Sequence, residues 1–298
     1  MSQNALEIRG LVKSFRRFTL GQRDGFTLGP LDLTVPIGSI YGFVGPNGAG
    51  KTTTIDMIFG MGRKEAGTIR VLGLDHLRDE VAMKRQVGYV SPDLNFAPWK
   101  RVGRAIDFIK GFHAGWDDQY CHHLLASFRL ARDERISVLS FGARIKLALV
   151  LALSWRPRFL VLDEPTVGLD AISRQQVFSE LLATVRDEGR TVFISSHGIA
   201  DLERFADHVG MIKDGRLVFE GTTADVLERY RMVEFTLEGP ADLGDRPGIY
   251  VQRKAADRWS ALLDLQRVPI ERLQAEGATP IADFPVTLEE VFVAVGKA

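Results

Sequence analysis

An α/β fold carrying a helical insertion and a small α+β appendage is what this chain of 298 residues predicts. Three observations carry the prediction. Apolar strands alternate with helical patterns along most of the chain, an early strand passes into a helix through a glycine-rich loop, and a later all-apolar strand ends in two adjacent carboxylates. Strands that are apolar on both faces and separated by helices are those of a parallel sheet covered on both sides. With 45% apolar residues the chain can bury a full core and still carry a second, smaller unit.

Residues 5–15 alternate as a strand, and 16–30, with three glycines between short apolar pieces, read as an extended hairpin or long turn. A strand at 31–35 stops at Pro36 and feeds a second at 39–44, after which Gly45 to Thr52 lead into a helix at 52–59. Short strands follow at 68–73 and 87–90. Between 98 and 135 a helical period replaces the alternation, with Val102, Ile106 and Ile109 on one face and Tyr120, Leu124, Leu125 and Phe128 on another. A second helix spans 140–154 and an apolar strand 158–164. The alternation then closes with helix 172–187, strand 191–195, helix 199–206 and strand 208–213. Beyond 233 the style changes: strands at 234–237 and 249–252, a helix at 258–265 and a closing helix at 288–295. The expected domains are 1–230, with a helical subdomain at about 94–157, and a small α+β unit at 231–298.

Thirty-eight basic and thirty-eight acidic residues leave no net charge, so no broad electrostatic footprint for nucleic acid is expected. The one cysteine, Cys121, allows no internal disulfide, fits a reducing compartment and reads as an ordinary helix thiol. No window approaches the run of about twenty apolar residues that spans a bilayer, and the N-terminus lacks a basic start and an apolar core of signal-peptide type. The expected location is cytoplasmic, with any membrane role coming through a partner.

The chemistry begins at Gly45-Pro46-Asn47-Gly48-Ala49-Gly50-Lys51-Thr52, followed by Thr53. Glycines let the backbone point successive N–H groups inward, and the helix start adds its positive dipole end, which together attract a polyphosphate. Lys51 reaches the outer phosphates, and the Thr52 hydroxyl completes a Mg²⁺ shell otherwise made of phosphate oxygens and water. Asp163, at the end of an apolar strand, suits a contact to the same ion. Glu164 beside it can polarise an attacking water, a pairing that points to an ATPase rather than a nucleotide-transferring kinase. Ser140-Phe141-Gly142 at a helix start offers a hydroxyl, backbone N–H groups and a dipole end, but no lysine or metal ligand. That is half of an anion site.

On these residues the chain resembles the ATP-binding subunits of ABC transporters, over about 220 residues and in the same order. Gly45 to Thr52 is similar to the Walker A loop, and Phe159 to Asp163 with Glu164 to Walker B and its catalytic acid. Val167-Gly168-Leu169-Asp170 resembles the D-loop, Ser196-His197 the switch histidine, and Leu139-Ser140-Phe141-Gly142-Ala143-Arg144 the signature motif. The resemblance implies a P-loop NTPase fold of ABC ATPase type that clasps ATP and Mg²⁺ between two chains, Walker loop facing signature helix. Glu164 and His197 are then catalytic; Phe15, Asn47, Gly48, Ala49, Gly50, Lys51, Thr52, Thr53, Ser140, Gly142 and Asp170 hold nucleotide; and Thr52, Asp163 and Asp93 serve the metal.

Three positions depart from the family pattern. Phe141 and Ala143 replace residues that are often glycine and glutamine. The loop after 87–90 reads Ser91-Pro92-Asp93-Leu94-Asn95, without the glutamine expected there, so Asp93 is the substitute oxygen ligand. The adenine-stacking aromatic falls to Phe15, with Phe18 as runner-up. The helical insertion and the closing Leu288-Glu289-Glu290-Val291-Phe292 are similar to ATP-binding subunits of ABC-2 exporters. This implies a separate integral-membrane permease, a second ATP-binding subunit, most simply another copy of this chain, and a peripheral place on the inner face of the membrane. The rival readings are a soluble ABC-type ATPase acting on DNA or ribosomes, and a regulatory ATPase whose tail binds a small ligand.

Overall fold

The computed structural model describes residues 3–16, 25–237, 246–255 and 258–297. They form two units, one made of 1–197 and 208–220, the other of 198–207 and 221–298. The runner-up Phe18, and part of the expected hairpin at 16–30, lie outside the described residues.

The first unit holds two sheets. In one, β1 (Asn4–Arg16) pairs antiparallel with β2 (Gly25–Pro36) and β4 (Ala66–Val71), and β5 (Leu74–Asp75) lies beyond β4. In the other, β3 (Ile40–Val44) is flanked in parallel by β9 (His208–Lys213) and β8 (Thr191–Ser196). The sheet continues in parallel through β7 (Phe159–Asp163) to β6 (Val87–Val90), with β10 (Arg216–Thr222) at its opposite edge. Every residue of β3, β7 and β8 is buried, as a strand covered on both faces requires. Tyr41 and Phe43 pack on Phe193 with ring centroids 5.6 and 5.4 Å apart. Burying each such side chain stabilises the fold by about 1.5–3 kcal/mol. β10, which the sequence reading missed, follows β9 through Asp214 and Gly215, both at positive φ, the two-residue turn favoured by hairpins.

Helix α1 (Lys51–Ile58) follows β3 through the glycine loop, and the short α2 (Glu80–Lys84) precedes β6. The helical block contains α3 (Val102–Lys110), α4 (Asp118–Ser127) and α5 (Phe141–Leu153). All seven residues from Leu147 to Leu153 are buried, so the most apolar stretch of the sequence is a core helix. Cys121 is buried too, and burial pushes its thiol pKa up. α6 (Ala171–Glu188) starts at the capping Asp170 and stops at Gly189, whose φ of 62° lets the chain leave the helix.

The second unit comprises α7 (Ile199–Phe205), α8 (Thr223–Arg229), β11 (Tyr230–Leu237), β12 (Ile249–Ala255), β13 (Arg258–Asp264), α9 (Ile270–Ala275), β14 (Ala278–Phe284) and α10 (Leu288–Lys297). Its strands make an antiparallel sheet in the order β12-β13-β11-β14. Residues 258–265, expected as a helix, are largely β13. This strand is hydrogen-bonded on both sides, with Trp259, Ala261 and Leu263 in the unit's core. Pairing on two edges overrides the helix preference of Ala-Leu-Leu. The closing helix is present as α10. No helix among the described residues is long and apolar enough to cross a membrane.

Candidate active site

The site residues gather at the C-terminal ends of β3, β7 and β8, the edge of a parallel sheet where ligands collect. After Val44 the chain turns through Gly45 to Gly50, and a side chain at Gly45 would strike the Ile212 carbonyl at 2.4 Å. Gly48 and Gly50 take φ values of 80° and 112°, a region that glycine enters without steric cost. Asn47 and Gly48 are exposed, Ala49 is buried with its N–H bonded to the Pro46 carbonyl, and Gly50 precedes α1 at its start. Lys51 folds back over this loop: its Nζ donates to the Gly45 carbonyl at 2.7 Å and the Pro46 carbonyl at 3.3 Å, and stands 3.3 Å from Glu164 Oε1. Thr53 is half-buried on the next position of α1.

Thr52 Oγ1 donates to Asp163 Oδ2 at 2.8 Å, and Ser195 Oγ donates to the other carboxylate oxygen, Oδ1. The register that sets Asp163 opposite Ser195 creates the second contact. Glu164, one residue on, has a φ of 46°, a left-handed conformation costing a non-glycine residue about 1–2 kcal/mol. Its N–H is held by the Ser195 hydroxyl at 3.0 Å and carbonyl at 3.2 Å. The turn presents its carboxylate to Lys51 on one side and to His197 Nδ1, at 2.8 Å, on the other. Because a carboxylate only accepts, Nδ1 carries the hydrogen in that bond. Lys51, Thr52, Asp163, Glu164 and His197 thus form two hydrogen-bonded chains that meet at Ser195, a residue the motifs did not single out.

Asp56, one turn beyond Thr52 on α1, also escaped the sequence reading. Burial, then the negative charges of Asp163 and Asp93, push its carboxyl pKa up. Asp93 is therefore in electrostatic reach of the same end of the sheet. It is exposed, and with Ser91, Phe96, Phe141, Arg144 and Ile145 it lines a cavity of about 300 Å³. Among the described residues no three His, Cys, Asp or Glu side chains could together hold an ion. The hydroxyl and carboxylates are nonetheless the hard oxygen donors Mg²⁺ takes, so the set fits a Mg²⁺ that draws its remaining ligands from phosphate and water.

The other predicted residues fall into a second group. Ser140 caps α5, its Oγ accepting from Ala143 N at 3.1 Å. Asp170 caps α6 by accepting from Ser173 N at 2.8 Å, a bond that with the Ser173 hydroxyl holds its pKa below the usual range. Lys146 of α5 donates to Ser173 Oγ at 2.7 Å, tying the two helix starts together. A Cβ at Gly142 would lie 2.9 Å from Leu169 Cδ2 and 3.2 Å from the Gly168 carbonyl. Phe15 is half-exposed on β1, with its ring 6.3 Å from Phe26 and Lys13 Nζ 5.2 Å from its centre. Phe26 borders the glycine loop, since its Cζ would be 3.1 Å from a Cβ at Gly50.

Comparison with known proteins agrees with this geometry. The family model described as ABC transporter matches residues 28–167. The daunorubicin/doxorubicin resistance ATP-binding protein DrrA of Streptomyces peucetius is 35% identical over 233 residues, 74% of this chain and 66% of that one. The Nod factor export ATP-binding protein I of Burkholderia lata is 30% identical over 287 residues, covering 91% and 92% of the two chains. Among solved structures, the ATP-binding subunit of an ABC transporter superposes with a TM-score of 0.65 at 24% identity, over 75% of this chain and 92% of that one, a likeness of fold. With the phosphate loop, the paired acids and the histidine converging on one sheet edge, this chain belongs to the ATP-binding proteins of ABC transporters.

Proposed function

We propose that this chain binds and hydrolyses ATP as the energising subunit of an ABC-2-type exporter, and that ATP closes a dimer of two copies beside an integral-membrane permease. The observation that carries this reading is the Lys51–Glu164–His197 chain set beside the Thr52–Asp163–Ser195 chain. Lys51 now spends one donor on Glu164. A triphosphate in the loop offers it stronger acceptors, and Glu164 is then released to accept the proton of the attacking water while His197 keeps its carboxylate oriented. When bound, Mg²⁺ neutralises charge on the transferred phosphoryl group. Thr52 and Asp163 would hold it, with Asp93 in place of the glutamine this loop lacks, and Phe15 would stack on adenine.

Ser140 and Gly142 present a capped helix start, and Asp170 fixes the neighbouring helix start. These fit the γ-phosphate of nucleotide held by the other copy, which makes ATP an interfacial ligand. The named relatives carry export or resistance in their names, which supports transport over work on DNA or ribosomes. In this reading residues 1–230 are the ATP-binding domain, residues 231–298 the appendage, and the permease brings the chain to the inner face of the membrane. Glu164→Gln tests it. With ATP and Mg²⁺ the variant is expected to run as a dimer in light scattering while hydrolysing about 10²-fold or more slowly. A strictly monomeric variant, alone and with its permease, would refute it.

A further inference from the structure

The second unit contains a cavity of about 390 Å³, lined by Arg246, Pro247, Ile249, Arg267, Val268, Arg272 and Glu276. That volume is within the range of small-ligand pockets. The arginines come from three separate segments: Arg246 precedes β12, Arg267 is on the turn after β13, and Arg272 is on α9. Three guanidiniums face one carboxylate among the described lining residues. Glu276 is shared by Arg246, which bonds it directly, and by Arg272, whose Nε is 3.5 Å away. The lining keeps an excess of two positive charges, although the whole chain is neutral.

The frame behind the arginines is built. Asp264, buried to 1% exposure, accepts from Arg229 Nε at 2.8 Å, and its carboxylate and carbonyl hold the N–H groups of Gln266, Arg267 and Val268. Arg229 is its close partner, and Arg267 also pairs with it, its Nε 3.5 Å from Asp264 Oδ2. Gly248, at a φ of 95°, leaves room for the Arg267 stem, since a Cβ there would stand 2.9 Å from Arg267 Cβ. Ile249 and Val268, both buried, make an apolar floor. A surface built only for solubility has no need to converge three like charges over apolar side chains.

We propose that this cavity binds a phosphate monoester attached to an apolar body. The dianion matches the charge excess, its terminal oxygens match planar guanidinium forks, and the organic part covers Ile249 and Val268. The lining residues all belong to the second unit, and the proposal stands whether or not the reading of the nucleotide loop is correct.

Phenyl phosphate titrated into the full-length chain by calorimetry is expected to bind saturably. Binding should weaken about tenfold or more in Arg267→Gln or Arg272→Gln, the loss expected when a charged hydrogen-bond donor is removed, and stay unchanged in Lys51→Ala. Glu276→Gln removes the competing carboxylate and should tighten binding severalfold, a gain that a merely destabilised unit cannot produce. Cosedimentation with phosphatidic acid vesicles, lost in the same arginine variants, would support the same headgroup chemistry with lipid as its source. The proposal is overturned if neither phenyl phosphate nor the vesicles bind, or if binding disappears in Lys51→Ala and survives in the arginine variants.

Discussion

Ser195 shows how a residue without a motif can organise a site. Its hydroxyl bonds the Asp163 carboxylate and receives the Glu164 N–H, so it fixes both acids. From sequence it is a polar residue at a strand end, and only the parallel register of β7 and β8 makes it a neighbour. The loop and the paired acids were legible from their own residues and setting, and His197 only through the resemblance to the family's motifs. Asp56 was not, since its raised pKa comes from burial and then from carboxylates 107 and 37 residues away in the chain. Its raised pKa has a definite sign: the folded state holds the proton more tightly than the unfolded one, so stability falls as pH rises through the folded value. Asp56→Asn escapes that loss. Its melting temperature should exceed the parent's by about 1–3 °C at pH 7, a modest gain because the side chain is half-exposed, and match it at acid pH. Thermal melts at the two pH values check this. Asp93→Ala is expected to reduce Mg²⁺-dependent turnover about tenfold, as removal of an outer ligand does, with weaker Mg²⁺ dependence in a titration. Unchanged turnover would remove Asp93 from the metal's surroundings.

At the scale of elements, the alternation of strands and helices was readable because buried parallel strands are apolar on both faces. The second unit was harder. Arg258–Asp264 has the composition of a helix and becomes a strand only because β11 and β12 pair with it, while β14, α8 and α9 carry short patterns that gave no signal. The junction of α5 with the segment before α6 is an element-level feature with a sharp test. Gly142→Ala places a methyl 2.9 Å from Leu169 Cδ2, an overpacking that costs about 1–3 kcal/mol and moves the backbone around Gly168. The variant should fold, retain nucleotide binding to the isolated chain, and lose most of its ATP turnover and ATP-driven dimerisation. Turnover within twofold of the parent would show that this close approach has no part in the reaction.

For the whole molecule, the two units are interleaved along the chain. Helix α7 lies between β8 and β9 in sequence, yet it belongs with α10, and Glu203 accepts from Leu288 N at 2.7 Å. Cutting the chain after residue 230, where composition changes, leaves α7 without this partner. The truncated protein is therefore expected to melt several degrees lower or to aggregate, while a point variant in the arginine-lined cavity should not. Circular dichroism and light scattering on the two proteins separate these outcomes.

The same interleaving sets a rule for chimaeras. A tail transplanted from a relative must bring its own version of residues 198–207, although these follow the histidine directly and residues 208–220 of the other unit separate them from the rest of their own. On the ribosome, that early segment emerges before the partners it will pack against. Its bond to Leu288 forms only after about the last quarter of the polypeptide has been made.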